Sequence, residues 1–395
     1  MSDRREVWIT GVGLITCLGE GLDATWDFFA RGAPPPYDDK SFAPYIVHAL
    51  PPVNFDKQIP KKGDQRQMEM WQRIGVYAAG LALGDAGLAG KPDLLDHTDM
   101  IVAAIGGERD VPVDTAILAG VRAAEKPGAF LNERLMNDLR PTLFLAQLPN
   151  LLAGNISLVH GVVGSSRTFL GEESAGVDAV RVAHARVAAK QSEVTLVGGA
   201  SHGARWDHLL DFELGGALLK EKFAPVWDRG PEGGIAYGSL GAFLVLESPD
   251  HARARGARPR ARLNAVASDR NKRREGDIEA TLERQWQTIA AQVESGHAAV
   301  ISGATGLEPA TSSERQALKK FGLPVRGSGT YIGHGIEAQF PANLAIATMV
   351  LEHGKLFAPL GSGDGGKNPE PLEQIVVTGV GAWRGEGLAL VERIH

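Results

Sequence analysis

Val7-Trp-Ile-Thr-Gly-Val-Gly13 is an apolar run that ends in two closely spaced glycines. This pattern predicts a buried strand that stops at a tight turn. The same unit recurs at residues 100–107 and 192–200, and helix-like stretches at 66–88 and 175–190 come before them. Because continuous apolar strands alternate with helices, the sequence predicts an α/β protein whose sheet is covered on both faces.

The C-terminal part of the chain repeats this alternation after a charged stretch at residues 250–262. Strand, helix, strand and helix patterns follow in turn at 262–267, 278–295, 298–303 and 311–321. Val377-Thr-Gly-Val-Gly381 also echoes the opening run. We therefore predict two similar α/β halves, at residues 1–250 and 258–395, with an irregular excursion of short helices at 109–140.

The composition narrows the classes of function. The chain has 395 residues, of which 44% are hydrophobic and 22% are charged, and its net charge is −6. Without a basic excess we expect no nucleic-acid binding, and the apolar runs are too short to span a membrane. The first residues lack the apolar region of a signal peptide. Cys17 is the one cysteine, which excludes a disulfide framework and a cysteine-based zinc site. We expect a cytoplasmic protein that needs no metal and no other cofactor.

Several further motifs follow one another in a specific order. They are Val7-Trp-Ile-Thr-Gly-Val-Gly-Leu-Ile-Thr-Cys-Leu-Gly19, Thr25-Trp26, Arg31-Gly32, Arg66-Gln-Met-Glu-Met-Trp-Gln72, Asp85-Ala-Gly-Leu88, Pro149-Asn150, His160-Gly161, Gly198-Gly-Ala200, Pro225-Val-Trp-Asp228, Gly241-Ala-Phe-Leu-Val-Leu-Glu247 and Ile332-Gly-His-Gly335. Together they resemble the β-ketoacyl-acyl-carrier-protein synthases (ketosynthases) of fatty-acid and type II polyketide biosynthesis. The resemblance implies the thiolase fold, in which two pseudo-symmetric α/β halves stack as five layers (αβαβα). It also implies a dimer formed through the half that bears the nucleophile.

The nucleophile is the residue in which the chain departs most from this family. A condensing member carries its acyl chain on a cysteine thiolate at a strand-to-helix turn, in the motif Thr-Ala-Cys-Ala-Ser-Gly. The matching stretch is Thr168-Phe-Leu-Gly-Glu-Glu-Ser-Ala-Gly176. Holding Gly176 to the motif glycine places Glu173 at the cysteine position. Cys17 lies in the first strand-end loop, so we do not expect it to replace the missing thiol.

The other catalytic elements of the family are also depleted. Its first histidine corresponds to Ser302 or, depending on a one-residue gap, to Gly303. Its second histidine is retained as His334, whereas the family lysine before it is Gly329. The phenylalanine that gates the acyl pocket corresponds to Ala382. The resemblance therefore implies a catalytic set reduced to Glu173, His334 and the neighbourhood of Ser302, with Ala382 as the gate.

Each of these residues also has a structural interpretation. Glu173 falls in the first turn of a helix, where a carboxylate is stabilised by the helix dipole. His334 fits a buried, hydrogen-bonded histidine, and Ala382 fits a small residue that fills a core gap. His160, His202 and His208 match no catalytic motif, and we interpret them as structural.

Two classes of function agree with these losses. The first is a non-condensing subunit similar to the chain-length factors of polyketide systems. Its partners would be an acyl carrier protein and a cysteine-containing ketosynthase, in a heterodimer, or a second copy of itself. The second is an altered acyltransferase or malonyl decarboxylase that uses Glu173 and His334, similar to ketosynthase-like domains with glutamine at the cysteine position. The negative charge of Glu173 would repel a malonyl carboxylate unless burial keeps it protonated, so the sequence favours the first class.

Overall fold

Strands and helices alternate along the chain in the computed structural model, which describes residues 5–395. The strands are β1 (Trp8–Thr16), β2 (Gly19–Glu20), β3 (Val47–His48), β4 (Asp99–Ala103), β5 (Ser166–Phe169), β6 (Val194–Ser201), β7 (Tyr237–Gly238), β8 (Leu240–Glu247), β9 (Ala261–Asp269), β10 (Ala298–Ser302), β11 (Val325–Gly327), β12 (Gln374–Val380) and β13 (Glu386–Glu392). The helices are α1 (Gly21–Arg31), α2 (Lys62–Gln67), α3 (Met70–Asp85), α4 (Pro92–Leu95), α5 (Val111–Ala123), α6 (Pro127–Asn137), α7 (Leu143–Ala146), α8 (Leu151–His160), α9 (Glu172–Ala188), α10 (Trp206–Leu214), α11 (Pro249–Ala254), α12 (Asp277–Gln287), α13 (Ala310–Phe321), α14 (Gly329–Ile332) and α15 (Gln339–His353).

The strands fall into two halves with the same order and direction. One half runs β5-β4-β6-β8-β1 and the other runs β11-β10-β12-β13-β9. In each, the first three strands are parallel and the last two are antiparallel to their neighbours. The halves join where Trp8 and Ile9 of β1 pair with Arg262 and Ala261 of β9. This matching topology is the pseudo-symmetry that the resemblance implies.

Helices α9 and α15 form a central layer between the two halves. Each contacts strands of both, with α9 on β6 and β9 and α15 on β8 and β12. The outer layers consist of α3 and α8 on one side and α12 and α13 on the other. Helix α15 is buried on all sides from Gln339 to Leu351, which explains its nearly continuous apolar sequence. Within residues 5–395, no helix is both long enough and apolar enough to cross a membrane.

Several elements differ in extent from the sequence prediction. The helix predicted at 278–295 ends at Gln287, where the backbone N–H and the hydroxyl of Thr288 both donate to the carbonyl of Gln285 and close the last turn. The helix predicted at 66–88 divides into α2 and α3, and the excursion at 109–140 holds the regular helices α5 and α6. Helix α11 lies at the predicted junction of the halves, and the division at residues 250 and 258 remains a proposal.

Candidate functional site

The two central helices place their N-termini beside each other, and the candidate site lies there. Glu173 is in the first turn of α9, and His334 is in the turn that leads from α14 to α15. The Nε2 atom of His334 lies 2.9 Å from Oε1 of Glu173, although the residues are 161 positions apart. Gly176 permits this approach of the helices, because a Cβ there would lie 2.2 Å from the carbonyl oxygen of Glu337. The structure thus brings together the two residues that the alignment pairs.

Strained backbone lies near the N-terminus of both central helices, directly before a buried glutamate. Glu172 has φ +47° and Ile336 has φ +46°, a left-handed conformation that non-glycine residues rarely adopt. Each is followed directly by a buried glutamate, Glu173 in the first turn of α9 and Glu337 in the short 3₁₀ turn that leads into α15. Such strain persists only where the surrounding fold imposes it, and it concentrates at functional sites.

A single carboxylate oxygen receives both of the hydrogen-bond donors in this site. The Ala382 backbone N–H donates to Oε1 of Glu173 over 3.2 Å, in addition to the contact with His334. Both side chains are buried, with 4% of Glu173 and 1% of His334 exposed. Two donors converging on one oxygen are the arrangement that stabilises a developing oxyanion in acyl transfer. In this chain the oxygen between the two donors is Oε1 of Glu173, so the donors bind a carboxylate of the protein.

The position of His334 is fixed by its backbone. Its N–H donates to the carbonyl of Ala236, and its carbonyl accepts from the N–H of Gly238, each over 2.9 Å. The next residue, Gly335, donates its N–H to the side-chain oxygen of Gln339. The imidazole therefore presents Nε2 to Glu173 from a turn that is held on both sides.

Two buried side chains at this site were not identified from the sequence. Glu337 is 1% exposed; burial raises its pKa to about 8, and the negative charges of Glu173 and Glu172 act in the same direction. Tyr237 is fully buried, its hydroxyl lies 3.4 Å from Nε2 of His208, and burial raises its pKa well above the usual value. At neutral pH, therefore, Glu337 is a neutral acid, and the site carries less negative charge than its three glutamates suggest.

The pKa of Glu337 predicts how stability depends on pH. Its pKa is raised from 4.5 in the unfolded chain to about 8 in the fold, so the fold binds this proton more tightly. The resulting stabilisation is complete below pH 4.5 and is lost as the pH rises through about 8. We expect Glu337→Gln, which keeps the shape without the charge, to flatten the fall in melting temperature over this range and to raise stability at its alkaline end.

Thermal unfolding at a series of pH values measures this effect. Glu133→Gln, at an exposed position, is the matched control and should follow the parent. If Glu337→Gln shows the same fall with pH as the parent, the assignment of a buried neutral acid is wrong.

Ser302, which we assigned to the position of the family's first histidine, contacts the carboxyl group of Glu314 rather than that of Glu173. Its hydroxyl donates to Oε1 of Glu314 over 2.7 Å, and Thr378 donates to the same oxygen over 2.5 Å. Burial raises the pKa of Glu314 to about 7. Among residues 5–395, no hydrogen bond joins Ser302 to Glu173 or His334. A catalytic role for Ser302 therefore remains a prediction.

Cys17, His160 and His202 contact groups outside the Glu173 site. Cys17 is buried with Sγ 3.3 Å from the carbonyl of Tyr331, and burial raises its pKa to about 12, so its thiolate is scarce. His160 lies 2.8 Å from the carbonyl of Val76, and Nδ1 of His202 lies 3.5 Å from Oε1 of Glu108. These contacts agree with the structural interpretation of the histidines.

Comparison with known proteins relates this geometry to one family. Residues 4–252 match the family description "Beta-ketoacyl synthase, N-terminal domain". The chain is 25% identical over 273 residues to "3-oxoacyl-[acyl-carrier-protein] synthase 2" of Vibrio harveyi, which covers 67% of this chain and 62% of that protein. It is 23% identical over 375 residues to "Oxytetracycline polyketide putative beta-ketoacyl synthase 1" of Streptomyces rimosus, covering 89% and 86%. For the Vibrio harveyi protein and its counterpart in Rhizobium meliloti, the match spans about three fifths of the relative's length.

Solved structures share the fold over nearly the whole chain. A β-ketoacyl synthase from Burkholderia phymatum STM815 superposes with a TM-score of 0.82 at 18% identity, covering 99% of this chain and all of that one. The ishigamide ketosynthase/chain length factor superposes with a TM-score of 0.80 at 20% identity, with the same coverage. These likenesses establish the fold that the sequence predicts.

Proposed function

The chain belongs to the β-ketoacyl synthase family, and within it we propose a non-condensing subunit, similar to a chain-length factor, that pairs with an active ketosynthase. The observation that carries this proposal is the double hydrogen bond to Oε1 of Glu173. In an acyl transferase, donors placed like His334 and the Ala382 N–H would bind a substrate oxygen. In this chain both bind the carboxylate of Glu173 instead.

The chain also lacks the thiol and the first histidine that condensation in this family requires. A carboxylate at residue 173 cannot hold an acyl chain as a thioester, and the buried thiol of Cys17 is no substitute. Ser302 and Gly303 cannot carry a proton at neutral pH in place of the first histidine. We therefore propose that the protein alone does not extend acyl chains.

Malonyl decarboxylation is the second candidate function. The observation in its favour is the neutral Glu337, which limits the negative charge that a malonyl carboxylate would meet. Against it, Glu173 accepts two hydrogen bonds and offers the substrate no amide-like donor. Turnover of malonyl carrier protein by the purified parent, lost in both Glu173→Ala and His334→Ala, would replace the partner proposal with this one.

Exposed apolar side chains in the N-terminal half support the pairing. Strand β5 is an edge strand of the N-terminal half, and exposed apolar side chains occur before it, after it and on α10. They include Phe144, Leu158, Val163, Leu170, Leu210 and Leu214. Exposed apolar surface rimmed by polar residues is typical of a protein interface. We propose that this face of residues 1–250 binds the ketosynthase, or a second copy of the chain when that partner is absent, and that an acyl carrier protein serves the assembled pair.

Co-expression with a cysteine-containing ketosynthase encoded nearby tests this proposal. We expect a mixed dimer on sedimentation, and chain extension from malonyl carrier protein only when both subunits are present. Leu170→Arg, next to the edge strand β5, should disrupt the dimer, whereas Tyr37→Arg, at an exposed aromatic residue far from β5 in sequence, should leave it intact. Chain extension by the purified protein alone, or a stable monomer that ignores the ketosynthase, would show that the proposal is wrong.

A further inference from the structure

A cleft of about 250 Å³ lies in the C-terminal half, between α13 and the loop Gly361-Ser-Gly-Asp-Gly-Gly366. The side chains of Arg315 and Lys319, one helical turn apart on α13, line it together with Ser362. Among residues 5–395, no carboxylate lines the cleft, although the protein has a net charge of −6. The cleft is thus a local concentration of positive charge.

Two acidic side chains in and beside the loop, Asp364 and Asp228, accept hydrogen bonds from other groups. The buried Asp364 accepts the indole N–H of Trp227 and the backbone N–H of Gly327 at Oδ1, over 3.0 and 2.8 Å. Asp228 accepts the Ser362 N–H at both carboxylate oxygens, over 3.1 and 3.0 Å. These bonds hold the loop in place and keep both carboxylates out of the cleft.

The hydrogen-bond donors of the cleft are available to a ligand. Nη2 of Arg315 donates to the carbonyl and hydroxyl oxygens of Ser362 over 3.1 and 3.3 Å, which fixes the guanidinium beside the loop. Its other N–H groups, the Lys319 ammonium and the backbone N–H groups of Gly363 and Gly366 have no hydrogen-bond acceptor among residues 5–395. Cationic side chains combined with backbone N–H groups of a glycine-rich loop are typical of anion sites.

We propose that this cleft binds a small phosphomonoester. A phosphate dianion presents three oxygens, which suit a guanidinium, an ammonium and backbone N–H groups better than the two oxygens of a carboxylate do. The ring of Trp227 and the side chains of Leu318 and Leu323 form an apolar wall of the same cleft, against which the organic part of the ester would pack. The proposal does not depend on the function of the Glu173 site, which lies on the central helices.

Calorimetric titration of the full chain with monobutyl phosphate, whose organic part is apolar, tests the proposal, with inorganic phosphate and acetate as parallel ligands. We expect monobutyl phosphate to bind most tightly and acetate at least about tenfold more weakly. The double variant Arg315→Gln/Lys319→Gln should weaken binding of the ester by at least about tenfold, because both cations are lost. Arg122→Gln, which removes one exposed cation elsewhere, should change it less than about twofold.

Circular dichroism and melting curves establish that each variant is folded. Absence of ester binding at millimolar concentration, or equal loss of binding in Arg122→Gln, would overturn the proposal. If inorganic phosphate binds as tightly as the ester, the organic part contributes nothing to binding. That result would also overturn the proposal of a phosphomonoester site.

Discussion

Glu173→Cys is expected to give a thiol that iodoacetamide alkylates at least about a hundred times faster than it alkylates Cys17 at neutral pH. The new thiol would stand in the first turn of the 17-residue helix α9, where the helix dipole favours a thiolate. His334 and the Ala382 N–H, which now bind the carboxylate, would be free to stabilise that thiolate. Cys17, whose pKa is about 12, is a built-in reference: it is as buried as residue 173, at 6% and 4% exposed, but it has neither the helix start nor the two donors.

Mass spectrometry of the intact protein during alkylation measures both thiols. Glu173→Ser is the matched control, because it shortens the side chain without adding a thiol, and it should label as slowly as the parent. Adding His334→Ala to Glu173→Cys should slow labelling. If the new thiol reacts no faster than Cys17, this helix start does not provide the electropositive turn of a nucleophile. We expect no chain extension from the variant, since Ser302 still replaces the first histidine.

Features that repeat along the chain could be predicted from its sequence. The strand that opens the chain and the strand that ends near Val380 both show continuous apolar runs closed by glycine, and both are buried strands in the structure. The start of α9 follows from Gly171 and the acidic pair after it, which is typical of a helix N-terminus. The distance between Glu173 and His334 was predictable only through the family alignment, because no local pattern relates residues 161 positions apart.

Side-chain direction in irregular turns could not be predicted. Glu337 reaches the site because Ile336 adopts φ +46°, a conformation that the sequence Gly335-Ile-Glu337 does not indicate. Ser302 could be assigned to a motif, but its hydroxyl turns to Glu314, and that residue comes from α13, a helix without a catalytic motif. Burial raises the pKa of Glu314 and of Glu337, and burial arises from tertiary packing rather than from neighbours in sequence.

His334→Ala is expected to lower the free energy of unfolding by about 3 kcal/mol, because it leaves the Glu173 carboxylate buried with one hydrogen bond from Ala382. Removing one partner of a buried pair costs more than removing both, since the remaining charge has no compensation. Glu173→Gln alone should cost less, because an amide keeps an oxygen that can accept from the imidazole and from Ala382.

The double variant Glu173→Gln/His334→Ala separates charge from packing in this loss. If the buried charge causes it, the double variant is more stable than His334→Ala, and the cycle gives a coupling of about 1 to 3 kcal/mol. Urea unfolding followed by fluorescence, at one protein concentration because of the expected dimer, provides the comparison. A His334→Ala variant as stable as the parent would mean that the imidazole contributes nothing to holding Glu173. In that case the hydrogen bond from Ala382 would be sufficient to keep the carboxylate buried, and the partner proposal would lose the contact between His334 and Glu173 on which its closed site depends.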